Sequence, residues 1–167
     1  MGFVGYLHMG CSSSPLDYGG NEMTNFDRTM EFILKWEGLY SNDTRDSGGE
    51  TKYGISKRAY PMLIIKDLTV EDAKLIYEKD YWKASGADKL DWPMCLVVMD
   101  TAVNMGVGRA KGFLEKAFNW TDYLFLRIEH YAKLNKPMYL RGWLNRVIDL
   151  HKTINAEEHP ISREIGL

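Results

Sequence analysis

The stretch 32-FILKWEGLYSNDTRDSGGETKYGIS-56 changes character at a single residue, Glu37. Up to that point the apolar residues Phe26, Met30, Ile33 and Leu34 recur at helical spacing. Thr24 or Asn25 serves as N-cap and Gly38 is placed to stop the helix. Beyond it, Asn42 to Asp46 and Gly48-Gly49 carry the residue types of a loop, and ETKYGIS reads as a short strand or ribbon leading to a short helix that ends at Pro61. One helix therefore hands over to a small β element, and the C-terminal two thirds of the chain decide the class.

Further along, LTVEDAKLIYEKDYW opens on Thr69-x-x-Asp72, a capping-box spacing, with Val70, Ala73, Ile76 and Tyr77 on one face. Pro93 begins PMCLVVMDTAVNMG, which is apolar on nearly every side, as expected of a helix enclosed by others. Three more helices are expected over Arg109 to Phe118, Thr121 to Leu134 and Met138 to Ile154. The fold class is mainly α, a helical domain with a small β element.

A chain of 167 residues with 45% apolar and 13% aromatic content has enough side-chain volume for one sizeable core. We expect residues 1–22, rich in Gly and Ser and without periodicity, to form a poorly ordered extension. Residues 23–167 are expected to form one domain, with 23–118 as its catalytic part and 119–167 as C-terminal helices. The start MGFVGYLHMGC lacks the basic segment and long apolar core of a signal peptide, and no stretch approaches the ~20 apolar residues of a membrane span. Stable membrane insertion is not expected. Cys11 and Cys95 cannot make a disulfide framework, and the four histidines show no metal-ligand spacing, so neither metal nor cofactor is expected. A net charge of −2 and the lack of a basic stripe argue against nucleic acid as a partner. Between Asn119 and Thr153, six Lys/Arg against three Asp/Glu make a locally positive stretch, which fits the solvated faces of two amphipathic helices or an anionic partner.

The chemistry concentrates at the seam. Glu37 lies four residues after Ile33 and continues the apolar stripe, so its carboxyl group is aimed toward the core. Partial desolvation and the negative end of the helix dipole both disfavour the charged form and are expected to raise its pKa. A carboxylic acid kept protonated near neutral pH can protonate the leaving oxygen of a glycosidic bond. The alternative is a surface glutamate at a frayed helix end. Asp46 lies nine positions after Glu37 and Thr51 five positions after that, on a Gly-rich segment able to fold back over the helix end. Inverting glycosidases hold a water on the far side of the sugar, with carboxyl groups roughly 6.5–9.5 Å apart. Asp46 with Thr51 can hold such a water, or serve only as turn former and strand residue. In the enclosed helix, Asp100 and Asn104 share a face at i, i+4, where they form either a satisfied buried pair or the lining of a polar cleft.

ILKWEGLYSNDTRDSGGETKYGISKRAYP, LTVEDAKLIYEKDYW, DTAVNMGVGRA and RGWLNRV together resemble glycoside hydrolase family 108, the lysozyme-like N-acetylmuramidases of phage endolysins and prophage-derived bacterial proteins. The resemblance covers most of Met23 to Ile148. It implies a lysozyme-like helical fold, Glu37 as the catalytic glutamate with supporting roles for Asp46 and Thr51, and Tyr40, Glu50, Tyr53 and Asn104 as candidates for substrate contact. It implies as partner the glycan strands of peptidoglycan, cut between N-acetylmuramic acid and N-acetylglucosamine by a monomer. That monomer is made in the bacterial cytoplasm and reaches the wall after release or export. Two departures stand out. Glu37-Gly38-Leu39-Tyr40 replaces the family's usual Glu-Gly-Gly-Tyr, and an Asp-Gly-x-x-Gly segment assigned to wall binding is missing where Phe118-Asn119-Trp120 runs directly into Thr121. A non-catalytic wall-binding or secretion-associated protein on the same fold is the competing reading.

Overall fold

The computed structural model describes residues 23–38, 40–41 and 49–158. The expected N-terminal extension, Asp46 and the side chain of Tyr40 lie outside the described residues. Helix α1 spans Asn25–Glu37. Thr24 caps it, its hydroxyl accepting from the Asp27 backbone N–H at 3.1 Å, which satisfies one of the donors that a helix start leaves open. Gly38, at φ 72°, adopts a backbone that a side chain would disfavour, and the helix ends there. Met30 and Ile33 are fully buried, as the stripe requires.

Three two-residue strands come next in the chain: β1 (Tyr40–Ser41), β2 (Thr51–Lys52) and β3 (Ile55–Ser56). They form an antiparallel sheet in sequence order, with Tyr40 opposite Lys52, Ser41 opposite Thr51, and Lys52 opposite Ile55. Tyr53 and Gly54 connect β2 to β3 with φ of 53° and 75°. Positive φ at both positions of a two-residue loop matches the twist of the flanking strands, and the pair closes a tight hairpin. The short helix expected before Pro61 is absent: Lys57 to Ala59 form turns, and the next helical piece is a 3₁₀ turn at Ile65–Asp67. Proline drives the preceding residue away from helical backbone, and so short a segment cannot nucleate a helix alone.

Helix α2 (Val70–Tyr77) carries the expected capping box, with Thr69 and Asp72 each bonding the other's backbone N–H. It continues into a wider π-helical turn at Glu78–Lys83, which periodicity alone did not foretell. Helix α3 (Met94–Met105) is the enclosed one: every residue from Cys95 to Ala102 is buried. It packs against α1, α4 (Val107–Leu114) and α5 (Trp120–Lys133). Helix α5 is capped by Asn119, whose Oδ1 accepts from the Asp122 N–H at 2.9 Å. Helix α6 (Pro137–Glu158) runs on past the expected end at Ile154.

Polar contacts order α6 against α1. Glu37 meets Arg146, Lys35 and Trp36 meet Asp149, and Arg28 meets Glu157. The numbers fall on one helix as they rise on the other, so the two lie antiparallel. The result is a mainly α, lysozyme-like fold with a small β element, in which the last helix returns to the end of the first. No helix among the described residues is long and apolar enough to cross a membrane.

Candidate active site

Glu37 is the final residue of α1, and its side chain is 21% exposed. Its Oε1 accepts from Arg146 Nη1 of α6 at 2.8 Å. A cation at hydrogen-bond distance fixes the orientation of the carboxyl group. Arg146 is itself anchored from behind. Its Nε donates to Asp100 Oδ1 at 2.8 Å, while Nη2 sits 2.7 Å from the same oxygen without the alignment of a hydrogen bond. Asp100 Oδ2 accepts from Arg127 Nη1 of α5 at 2.5 Å. Arg127 Nε in turn donates to the Tyr131 hydroxyl at 2.9 Å, which donates to Asn104 Oδ1 at 2.6 Å.

The chain of contacts sets two carboxyl groups among two guanidiniums, the kind of pairing a buried ionic cluster requires. Burial alone pushes the Asp100 carboxyl up, but the guanidiniums of Arg127 and Arg146 outweigh it and hold the group below the ordinary carboxylate range. For Arg146 the balance is the same with the sign reversed: burial disfavours its charge, and Asp100 and then Glu37 more than restore it. The Asp100 pairs with both arginines are therefore ionised near neutral pH. Of the two readings open for Asp100 and Asn104, a buried pair or a cleft lining, each residue takes a different one: Asp100 is buried and serves two arginines, whereas Asn104 serves Tyr131 and lines a hollow.

The β2–β3 hairpin closes the other side of Glu37. A Cβ built on Gly54 would lie 2.8 Å from Glu37 Oε2, 3.0 Å from Glu37 Cβ and 2.5 Å from the Tyr77 hydroxyl. Only glycine allows the turn to approach so closely. Tyr77 donates to the Tyr53 carbonyl at 2.9 Å and so pins the turn to α2. Arg146, Arg127 and Gly54 were not singled out from the sequence. Arg146 left a trace there, since it sits beside Val147 and one turn before Leu150 on the apolar face of α6.

The remaining candidates fall around this centre. Thr51 lies on β2 of the same hairpin, its hydroxyl donating to the Gly49 carbonyl at 3.2 Å. Glu50 is half-buried, and its carbonyl accepts from the Lys57 N–H at 2.8 Å. Tyr53 is half-buried at the turn, with Lys52 Nζ 5.5 Å from its ring centre. Asn104 stands at the far end of the ionic chain, beside a separate hollow at the ends of α3 and α5. A hollow of about 610 Å³ lies between α1 and the end of α6 and is lined by Met23, Arg28, Phe32 and Glu157. It does not include Glu37, and the acid Glu157 in its lining is paired with Arg28. Among the described residues no cluster of three His, Cys, Asp or Glu side chains is placed to hold a metal.

Comparison with known proteins agrees with this picture. Residues 30–106 match the model of the family described as glycosyl hydrolase 108. No curated protein is significantly similar to the chain. Among solved structures the fold is similar to that of Brucella abortus SagA, with a TM-score of 0.62 at 23% identity, over 78% of this chain and 94% of that one. The family match takes in most of α1, the sheet, α2 and all of α3, and thus both carboxylates of the cluster. Over these 77 of its 167 residues the chain is similar to glycosyl hydrolase 108 proteins.

Proposed function

We propose that this protein is an N-acetylmuramidase that hydrolyses the β-1,4 bond between N-acetylmuramic acid and N-acetylglucosamine in peptidoglycan, with Glu37 as the general acid. The observation that carries this reading is the setting of Glu37. One oxygen is held by Arg146, which a buried aspartate holds in place, and the other faces the Gly54 turn. A carboxyl group restrained on both sides can meet a glycosidic oxygen without first losing rotational freedom. In the reaction the Glu37 proton passes to the bridging oxygen as the bond to the anomeric carbon breaks. Water adds to that carbon, and its proton passes to the carboxylate of Asp46, with Thr51 orienting the water. The roles of Asp46 and Thr51 rest on the family resemblance and on the place of Thr51 beside the site. No step calls for a cofactor.

Replacing Glu37 with Gln preserves an acceptor for Arg146 while removing the transferable proton. Turnover of purified peptidoglycan is expected to fall by about 10²–10⁴, the usual contribution of general acid catalysis, with the helical circular dichroism unchanged. A variant within threefold of the parent protein means that Glu37 is not the acid. Digestion in isotopically labelled water defines the outcome further: label at the new reducing end marks hydrolysis, whereas anhydro ends mark transglycosylation. A folded protein that binds walls but releases no fragments supports the wall-binding reading instead.

A further inference from the structure

At the end of the ionic chain remote from Glu37, a hollow of about 230 Å³ opens between α3, α4, α5 and α6. Its lining includes Asn104, Arg109, His130, Tyr131 and Trp143. Pockets for drug-sized ligands span roughly 300–1,000 Å³, so this one is suited to a single ring with its substituents. Trp143 stacks on Tyr131 at 4.8 Å between ring centres, and Tyr139 stacks on Trp143 at 5.8 Å. The first two rings are held by the protein, yet Tyr139 remains 56% exposed. Tyr131 and Trp143 of this column line the hollow, with Tyr139 stacked behind Trp143, and their surfaces can take the apolar face of a sugar.

The polar groups around it are of two kinds. Asn104 accepts from Tyr131 through Oδ1, which orients its NH₂ group, and among the described residues that group has no hydrogen-bond partner. It is suited to an acyl carbonyl. Arg109 is exposed, and its guanidinium contacts the His130 ring. The imidazole is held below its ordinary pKa, first by burial and then by Arg109 and Lys133, so it is neutral near pH 7. A neutral imidazole can accept from Arg109 and leave the guanidinium charge available for a carboxylate.

We propose that this hollow is a second saccharide subsite, which binds an N-acetylated sugar bearing a carboxylate, with Arg109 on the carboxylate and Asn104 on the acetyl carbonyl. This rests on the muramidase reading and deepens it: of the two sugars of peptidoglycan only N-acetylmuramic acid carries a carboxylate, on its lactyl group. The subsite selects that sugar by charge at a point separate from the acid.

The test uses the full chain carrying Glu37→Gln, so that the ligand is not consumed, and calorimetric titration with two probes. One is a peptidoglycan tetrasaccharide with free lactyl groups, the other chitotetraose, which has acetyl groups and no carboxylate. Adding Arg109→Gln is expected to weaken the tetrasaccharide at least tenfold and chitotetraose less than twofold, whereas Tyr139→Ala weakens both. Arg109 and Tyr139 are exposed, so neither change threatens the fold. Equal weakening of both probes by Arg109→Gln, or no weakening of either, overturns the subsite while peptidoglycan turnover by the parent protein leaves the muramidase reading standing. Failure of that parent to bind or cleave peptidoglycan overturns both.

Discussion

Removing the Asp100 carboxylate leaves Arg127 and Arg146 facing each other in a space closed to water. Both guanidiniums are nearly or wholly buried, and Asp100 touches the two of them. Breaking a buried pair from one side typically costs about 3–5 kcal/mol, because the remaining charge is left uncompensated. Asp100→Asn is therefore expected to lose stability on that scale in urea unfolding at pH 7. The pH dependence has a definite sign. The folded-state pKa of Asp100 lies below its unfolded value of about 3.9, so its contribution is complete above that pH and vanishes as the pH falls through the folded value. The gap between parent and Asn variant should narrow from about pH 5 to about pH 2, and a constant gap would contradict the assignment. Arg146→Lys probes the same chain of contacts from the other side. A lysine keeps the charge but cannot bridge Asp100 and Glu37 through a planar fork, so turnover is expected to drop at least tenfold with smaller loss of stability. The inward position of Glu37 was legible in the sequence because helical spacing continues the apolar stripe to it. Arg146 was not, because its partner is 109 positions away and spacing arguments reach only a turn or two.

Among the elements, the β2–β3 hairpin is small and its turn packs directly against Glu37. Its strands have two residues each, too few to be stable alone, and it is held by Tyr77 and by contact with the end of α1. Gly54→Ala adds a methyl group where φ is 75° and where the Tyr77 oxygen would be 2.5 Å away. Both the backbone strain and the contact oppose it, each by about 1 kcal/mol or more. The hairpin must move, taking Thr51 with it, and activity should fall more than the melting temperature suggests. If Gly54→Ala retains full turnover, the turn does not shape the site. The sequence marked this segment as strand or ribbon, but β propensity over so few residues could not fix the turn's register. It also foretold a helix before Pro61 because apolar and basic residues there mimic a first turn. The buried character of α3 and the capping box of α2 were legible, since each depends on neighbours within one element.

At the scale of the molecule, the division into a catalytic part at 23–118 and C-terminal helices at 119–167 meets a physical difficulty. Glu37 and Asp100 lie in the first part, but the arginines that hold Glu37 and neutralise Asp100 both lie in the second. Val147, Leu150 and Ile154 of α6 are buried in the same core as Met30 and Ile33 of α1. Nothing in the local pattern of either half announced this, because the signal is a match between distant faces. The first part alone would bury an unpaired Asp100 and expose the apolar sides of α1 and α3. A chain ending after Phe118 is thus expected to lack a cooperative unfolding transition and to cleave no peptidoglycan. The other end behaves differently. Thr24 already caps α1, so the start of the helix does not depend on the residues before Met23. Deleting residues 1–22 should shift the melting temperature by no more than a few degrees and leave wall cleavage intact. Thermal scans and peptidoglycan turnover of the two truncations, run side by side, separate these expectations. A 23–118 fragment that unfolds cooperatively and retains cleavage within tenfold would show that the arginines of α5 and α6 are dispensable, and the ionic chain would lose its place in the mechanism.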